Sequence, residues 1–280
     1  MGIVWKDIFT LHFTSFIAYV ALVPLLLFAT RGRRAIRYLV LLASLVFFGF
    51  LQWSCPRPEG LFDFILIGPW DPNEKLPPII KLSVVIIGAL LFGRYYCGYI
   101  CPPGAVQELL HRSQTAIRVP PKADRILRYG KFVMLAAAIL LPLLFGVRVM
   151  KHVGPFRVIF NLDGETHLIV LLGVVLLASV FIGRPYCRYL CPIGALLGLV
   201  QKFASLVKVR IRKDATCNAC QQAQSVCPTL AVACSKPKSD CTLNINDVEC
   251  VSCMECLPVC KTGCLQYGGR KESAKGRKEP

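Results

Sequence analysis

Acidic residues are scarce in this chain, and that scarcity limits the class of protein. Of the 280 residues, 16 are Asp or Glu and 33 are Lys or Arg, which gives a formal net charge of +17. Hydrophobic residues make up 55% and charged residues 18%, and the mean hydropathy is +0.54. This balance is too apolar for an ordinary soluble domain and indicates a membrane protein. The basic residues flank apolar runs, as in cytoplasmic loops, so no nucleic-acid partner is expected.

Several catalytic and targeting patterns are also missing. The sequence shows no hydrolase triad and no nucleotide-binding loop, so no catalytic residues are predicted. The N-terminus lacks a basic n-region, and the first apolar run lacks an A-x-A-like end, so no cleavable signal peptide is expected. The missing catalytic patterns fit an electron-transfer subunit with no independent substrate pocket.

Apolar runs predict about five membrane-spanning helices. The runs cover residues 8–29, 38–53, 79–96, 132–147 and 168–182. The basic loops Arg31–Arg37 and Arg112–Arg128 are an even number of crossings apart, so the positive-inside rule places both in the cytoplasm, with the loop Ser54–Pro78 outside. We therefore expect residues 1–205 to form an all-α polytopic domain in the cell inner (cytoplasmic) membrane, with the C-terminus in the cytoplasm.

The C-terminal part carries most of the 15 cysteines. Residues 250–260 read C-V-S-C-M-E-C-L-P-V-C, a spacing in which three thiolates hold one [4Fe–4S] cluster and the fourth goes to a neighbouring cluster. Residues 217–228, C-N-A-C-Q-Q-A-Q-S-V-C-P, repeat the spacing in part. Zinc ribbons and disulfide frameworks also use many cysteines, but this spacing favours iron–sulfur. We expect a small α+β ferredoxin-like two-cluster domain at residues 206–268 and a disordered basic tail at 269–280.

The cross-over spacing divides these cysteines unequally between two clusters. The complete cluster is assigned Cys227, Cys250, Cys253 and Cys256. The other is assigned Cys217, Cys220 and Cys260, because Ala223 stands in the slot of the third cysteine. Either Cys234 or Cys241 fills the open corner, or this cluster is a [3Fe–4S] cluster, or it has a ligand other than cysteine. Cys264 and the isolated Cys55 are predicted to be packing residues.

A long motif occurs twice, at a period of about ninety residues. The first copy, from Gly93, reads G-R-Y-Y-C-G-Y-I-C-P-P-G-A-V, and the second, from Gly183, reads G-R-P-Y-C-R-Y-L-C-P-I-G-A-L. Each copy follows a span that runs from outside to inside, so both lie at the cytoplasmic boundary and face the same way. This predicts an internal parallel repeat with a pseudo-two-fold axis along the membrane normal.

The repeat contains four candidate metal ligands: Cys97, Cys101, Cys187 and Cys191. Cysteines four residues apart are predicted to share one helical face until Pro102 and Pro192 break the helix. Four buried thiolates need neutralisation, because each buried charge costs several kcal/mol. A disulfide within a pair is disfavoured, since the Cβ separation of about 5–6 Å exceeds the roughly 3.5–4.5 Å required. Neutral packed thiols or an iron–sulfur centre shared across the repeat are left, and we favour the shared centre.

The two copies and the ferredoxin run resemble the membrane polyferredoxins, which include NapH-type quinol dehydrogenases and the membrane half of NosR/NirI-type proteins. The resemblance covers residues 79–267 and rests on Y-C-G-Y-I-C-P-P-G-A-V-Q-E-L and P-Y-C-R-Y-L-C-P-I-G-A-L. It implies membrane-bound electron transfer between the quinone pool and a respiratory reductase system, through cytoplasmic [4Fe–4S] clusters. The sequence departs from the pattern at Ala223, and no large flavin-binding domain precedes its apolar runs.

The resemblance also sets the expected cofactors and partners. To the two [4Fe–4S] clusters and the boundary centre inferred from the cysteines it adds a quinone, although the residues alone show no quinone site. The partners are membrane lipid, the quinone pool and other redox subunits, namely a flavin protein, a cytochrome or an extracytoplasmic iron–sulfur protein. A redox maturation or assembly factor for a metalloenzyme would use the same clusters, and co-purification with an immature apo-enzyme would favour it. A membrane anchor with a zinc ribbon is the third interpretation, distinguished by its lack of colour.

Overall fold

The fold is mostly helical, with a small β-structured part near the C-terminus. The computed structural model describes residues 14–24, 26, 34–51, 65–66, 72–111, 119–147, 149–161, 164–204, 206–211, 220–234, 243–260 and 265–269. The α-helices of the described residues are α1 Thr14–Pro24, α2 Arg34–Ser44, α3 Pro72–Phe92, α4 Pro102–Leu110, α5 Pro121–Phe145, α6 Val149–Val153, α7 Arg157–Asn161, α8 Thr166–Phe181, α9 Pro185–Tyr189, α10 Pro192–Ala204 and α11 Cys220–Ser225. Of two π-helical segments, Leu45–Leu51 follows α2 and Tyr96–Ile100 precedes α4. The strands are β1 Val207–Ile211, β2 Val232–Cys234, β3 Leu243–Ile245 and β4 Leu265–Gly269.

Prolines begin several of these helices. The first residues of α4, α5, α9 and α10 are Pro102, Pro121, Pro185 and Pro192. Proline suits this position because its ring fixes φ and its missing N–H has no intrahelical acceptor there. The helix α5 ends before Gly146, which has a left-handed φ of 66°. Because α4 and α10 begin at Pro102 and Pro192, a new helix starts directly after the second cysteine of each motif copy.

The apolar runs are largely helical over their described residues, as predicted. Among the described residues, one helix, Lys122–Phe145, is long and apolar enough to cross a membrane. Shorter apolar helices are Thr14–Pro24, Ala35–Phe50, Pro78–Phe92, Thr166–Phe181 and Pro192–Phe203. The last turn of α5 exposes large apolar side chains, with Leu144 and Phe145 about 70% accessible. The number of membrane crossings stays a prediction.

The largest hydrophobic core joins the helices to the C-terminal part. It includes Phe16 from α1, Phe48 from the first π-helical segment and Tyr99 from the first motif copy. Val251 and Met254, which lie among the C-terminal cysteines, belong to the same core. Burying a large apolar side chain stabilises a fold by about 1.5–3 kcal/mol. The C-terminal part is therefore packed against the helices through shared apolar contacts.

Two short antiparallel strand pairs frame the cysteine loops. β1 pairs with β4 and β2 pairs with β3. The central residue of β1, Val209, is buried in a small core with Leu265 of β4. Because β1 follows α10 directly, its pairing with β4 returns the end of the C-terminal part to the helices. The cysteine loops lie between these strands in sequence.

Candidate iron–sulfur centres

The four cysteines of the repeat are buried, each 7–8% exposed. Cys97 lies in the π-helical segment Tyr96–Ile100, and Cys101 has an extended conformation (φ −66°, ψ 114°) at the cap of α4. Cys187 lies in α9, and Cys191 follows that helix. The expectation that each pair shares one continuous helical face is wrong. Each pair straddles a helix break, because a proline disfavours the helical conformation of the residue before it.

The two motif copies bring these cysteines into one group. Gln107, in α4 after the first copy, donates from Nε2 to Sγ of Cys187 in the second copy, over 3.3 Å. Burial raises the pKa of Cys101 well above its usual value, and the thiols of Cys187, Cys97 and Cys191 raise it further. Burial and mutual repulsion therefore oppose four thiolates at this place. A shared cationic centre would supply the charge that stabilises them.

Each copy also sends an arginine to the other copy. The Arg184 guanidinium of the second copy donates to the main-chain oxygen of Cys97 in the first. The Arg94 guanidinium of the first copy interacts electrostatically with Cys97 and with Cys191 of the second copy. Both arginine side chains are almost completely buried. Two fixed positive charges therefore lie beside the grouped thiols.

Glycines allow this close approach in both copies. A Cβ atom at Gly104 would lie 3.1 Å from the main-chain oxygen of Cys97 and 3.3 Å from Nη1 of Arg184. A Cβ atom at Gly194 would lie 3.1 Å from the main-chain oxygen of Cys187 and 3.1 Å from Nη2 of Arg94. The two glycines occupy the same motif position and have equivalent neighbours. The glycine shared by the two copies is therefore explained by the exchanged arginines.

One cavity in the C-terminal part is lined by four cysteines: Cys227, Cys250, Cys253 and Cys256. They are the four that the cross-over spacing assigns to the complete cluster. Burial raises the pKa of the Cys250 thiol to about 12. Burial also raises the pKa of Cys253 to about 11, although the nearby Arg37 guanidinium lowers it. These thiols stay protonated at neutral pH unless a metal centre displaces their protons.

The cysteines predicted to hold the second ferredoxin-type cluster are described only in part. Cys260 is buried and belongs to the same small core as Ala223, which is fully buried. The slot of the third cysteine is therefore an enclosed apolar position. Outside the described residues lie Cys55, Cys217, Cys241, Cys264 and the tail 270–280, and the same holds for the side chains of Cys220 and Cys234. The ligands proposed for this cluster stay predictions.

The cysteine loops of the C-terminal part contact both motif copies. A Cβ atom at Gly98, between the two cysteines of the first copy, would overlap the main-chain oxygen of Val251 and lie 3.8 Å from the Cα of Cys253. A Cβ atom at Gly183, which begins the second copy, would overlap the main-chain oxygen of Pro228. The two cysteine groups are therefore direct neighbours, with no side chain between the backbones at these points.

A chain of buried ion pairs links three parts of the molecule. Glu108 in α4 pairs with Arg37 in α2 and with Arg184, whose Nε donates to Oε2 over 2.6 Å. Arg37 also donates to Glu255, inside the C-terminal cysteine run, over 3.0 Å. Burial alone raises the pKa of Glu108, but Arg184 and Arg37 outweigh it and lower the pKa. Sequence reasoning missed this set, although a carboxylate inside a cysteine run was an available signal.

Comparison with protein families supports the interpretation of the repeat as an iron–sulfur binding region. A family model described as a 4Fe–4S binding domain matches residues 76–120 and 166–213. These two stretches contain the two motif copies, and therefore all four repeat cysteines. The match falls on the repeat and leaves the C-terminal cysteine run outside it.

Curated relatives extend the similarity over most of the chain. An uncharacterized protein of Methanocaldococcus jannaschii is 26% identical over 230 residues, which cover 79% of this chain and 90% of that protein. The ferredoxin-type protein NapH of Haemophilus influenzae is 28% identical over 70% of both chains. Protein NirI of Paracoccus denitrificans is 30% identical over 74% of this chain, which spans 31% of NirI. No solved structure matches the chain. The repeated motif, the family model and these relatives assign the chain to the polyferredoxin family of the NapH and NosR/NirI type.

Proposed function

We propose that this protein is a membrane-bound iron–sulfur electron carrier that links the quinone pool to a respiratory reductase system. The observation that supports this most is the direct contact between two groups of four cysteines, one in the repeat and one in the ferredoxin-like part. In this proposal the repeat cysteines hold one centre shared by both motif copies. Cys227, Cys250, Cys253 and Cys256 hold a second centre, and the cluster at Cys260 is a third.

The residues present fit clusters of the [4Fe–4S] type. Each described group offers four sulfur ligands, which is the ligand set that such clusters take; the repeat cysteines are all buried, whereas Cys227 and Cys250 are half-buried. A bound cluster supplies one-electron transfer. Arg94 and Arg184 keep positive charge beside the repeat cysteines while the surrounding core excludes water. Buried positive charge favours the more negative, reduced state of a cluster, so these arginines would raise the reduction potential of the repeat centre.

Tyr99 is placed to connect the two centres. It lies between Cys97 and Cys101 in the chain, and its hydroxyl donates to the main-chain oxygen of Cys253 over 2.9 Å. Burial raises the pKa of Tyr99, so the hydroxyl remains protonated and keeps donating at neutral pH. The first motif copy is therefore held against a ligand of the neighbouring centre by a fixed hydrogen bond.

The exchanged contacts support a parallel repeat. The Arg184–Gly104 and Arg94–Gly194 contacts have the reciprocal form that a pseudo-two-fold axis between the copies would produce. Such an axis places the four sulfurs at the same depth. It also gives the shared centre two ligands from each copy.

The first test concerns the repeat centre. We expect the double variant Cys97→Ser, Cys187→Ser to lose about four iron atoms per chain, because one ligand from each copy is removed. A quinol analogue should then fail to reduce the ferredoxin-type centres within the time that suffices for the parent protein, while dithionite still reduces them. Iron and acid-labile sulfide analysis gives the first result, and EPR spectra after each reductant give the second.

The matched control is Cys55→Ser together with Cys264→Ser, since both residues are assigned to packing. It should keep the full iron content and quinol-driven reduction. Unchanged iron in Cys97→Ser, Cys187→Ser would contradict the shared centre. Loss of iron with unchanged quinol-driven reduction would contradict its place in the electron path while leaving the centre itself supported.

The membrane topology is a second part of the proposal. We propose about five crossings with the ferredoxin-like part in the cytoplasm, which is supported by the apolar helices and by the basic loops between them. A fluorescent protein that matures only in the cytoplasm should be bright when fused after Pro280. Alkaline phosphatase, which folds only outside, should be inactive at the same position. The reverse pair of results would contradict the orientation.

A further inference from the structure

Three ligand-type side chains converge at a place far from the cysteines. His152 lies in α6, Glu165 caps α8, and His167 lies in the first turn of α8. The ligand atoms of the three side chains all lie within 4.8 Å of one another. The side chains of Glu165 and His167 are 60% and 51% exposed, so an ion from solution can reach them. Among the described residues, no other set of three His, Cys, Asp or Glu side chains has its ligand atoms close enough together to bind one metal ion.

The orientation of His167 is fixed by a hydrogen bond to the main chain. Its Nε2 lies 3.1 Å from the main-chain oxygen of His152. A carbonyl oxygen only accepts hydrogen bonds, so Nε2 carries the hydrogen. In the neutral ring, Nδ1 then carries the lone pair. Histidine ligands of metals use this arrangement, in which one nitrogen binds the metal and the other donates to a carbonyl or carboxylate.

That lone pair points at a negative charge. Nδ1 of His167 lies 3.3 Å from Oε2 of Glu165. Two groups that only accept hydrogen bonds repel each other at this distance unless a cation lies between them. The cation is either a proton on Nδ1, which makes a simple ion pair, or a metal ion bound by both groups. The second imidazole, from His152, is within reach of the same point and favours the metal.

We infer that His152, Glu165 and His167 form a binding site for a divalent transition-metal ion. Two imidazole nitrogens and one carboxylate suit Zn²⁺, Ni²⁺ or Cu²⁺, whereas Mg²⁺ and Ca²⁺ prefer oxygen ligands throughout. Three protein ligands leave at least one position for water or for a group from a partner. The exposure of the site keeps that position open to solution.

The site is separate from the iron–sulfur centres. The helix α8 starts at Thr166, beside the site, and ends at Phe181, just before Arg184. At 1.5 Å per residue, this helix is about 24 Å long. The helix α5 likewise leads from Asp124, which pairs with Arg188 of the second motif copy, toward α6. The metal site therefore lies at the opposite end of these helices from the cysteines and shares no ligand with them.

Zinc retention tests the inference directly. The full chain, purified in detergent without a histidine tag and with its iron in place, is incubated with ZnCl₂ and desalted before elemental analysis. We expect one more equivalent of zinc in the parent protein than in His152→Ala, Glu165→Gln or His167→Ala. The variant His111→Ala, outside the site, is the control and should retain as much zinc as the parent protein. Iron content, measured in the same samples, shows that each variant is folded.

Copper provides a second readout that depends on the ligands themselves. One equivalent of Cu²⁺ should give an EPR spectrum with hyperfine lines from two nitrogen ligands in the parent protein. His152→Ala should reduce this to one. Equal zinc retention in the parent protein and in all three site variants would overturn the inference and leave His167 and Glu165 as an ion pair. A copper spectrum that is unchanged in His152→Ala would also overturn it.

Discussion

Replacing Glu108 by glutamine is expected to destabilise the protein by about 3–5 kcal/mol, the cost of breaking a buried ion pair from one side. Glu108 forms ion pairs with Arg37 and Arg184 and accepts a hydrogen bond from Arg184, and all three side chains are buried. Glutamine keeps one acceptor oxygen but turns an NH₂ donor toward guanidinium donors. Arg37 keeps its ion pair with Glu255. Arg184 keeps its hydrogen bonds to the main-chain oxygens of Cys97 and Gly98 but loses its carboxylate partner, so most of the lost stabilisation comes from Arg184. Denaturant unfolding in detergent measures the difference, with iron content as the second readout.

The control for Glu108→Gln is Asp247→Asn. Asp247 pairs with Lys208, and its side chain is 30% exposed, so its loss is expected to cost less than about 1 kcal/mol. The same midpoint of unfolding in both variants would contradict the role given to the buried pairs. Retained stability but lost iron in Glu108→Gln would place the effect at the cysteine site that Arg184 borders.

The effect of Glu108 depends on pH in a defined direction. Its pKa in the folded protein is lowered by Arg184 and Arg37. The stabilisation is therefore complete above the ordinary carboxyl pKa of about 4.3, and it is lost as the pH falls through the lower folded-state value. The difference between the parent protein and Glu108→Gln should be constant from pH 6 to pH 8. Measurements at neutral pH also avoid acid damage to the clusters.

Local spacing was sufficient to anticipate that Cys227 lies beside Cys250, Cys253 and Cys256. The cross-over rule connects Cys227 to the run that begins at Cys250, and the structure places both on one cavity. The rule follows from the geometry of such clusters, which dictates the spacing of consecutive ligands. The repeated motif similarly indicated that its two copies have equivalent surroundings. It could not show that the arginine present in each copy contacts the other copy.

The buried ion pairs could not be read from the sequence, because they join distant parts of the chain. Arg37 ends a basic stretch of the sequence that the positive-inside rule explains without any partner. Its partner Glu255 lies 218 residues away. Periodicity reports which face of a helix is buried, but the identity of the opposing face depends on tertiary packing. The helix break within each cysteine pair had a visible signal in the sequence. Pro102 and Pro192 directly follow the second cysteine, and a proline disfavours the helical conformation of the residue before it.

Replacing Gly98 by alanine is expected to separate the two cysteine groups. The added methyl group would overlap the main-chain oxygen of Val251, which is rigid compared with a side-chain tip. The π-helical segment and the cysteine loop must therefore move apart, and the hydrogen bond from Tyr99 to Cys253 lies beside this contact. Overpacking of this kind costs about 1–3 kcal/mol. We expect lower thermal stability and slower electron transfer between the two centres, measured by freeze-quench EPR after mixing with a quinol analogue.

Gly173→Ala is the matched control for Gly98→Ala. Gly173 lies inside α8, and a Cβ atom there would meet nothing within 4 Å. The same substitution should therefore stabilise the helix by about 0.5–1 kcal/mol and leave the electron-transfer rate unchanged. Gly183→Ala, which would overlap Pro228 at the second contact, should reproduce the loss seen with Gly98→Ala. If Gly98→Ala behaves like Gly173→Ala in both measurements, the contact between the motif copy and the cysteine loop does not determine how the centres communicate. Loss at Gly98 but not at Gly183 would instead assign the electron path to the first copy, where Tyr99 holds the ligand loop.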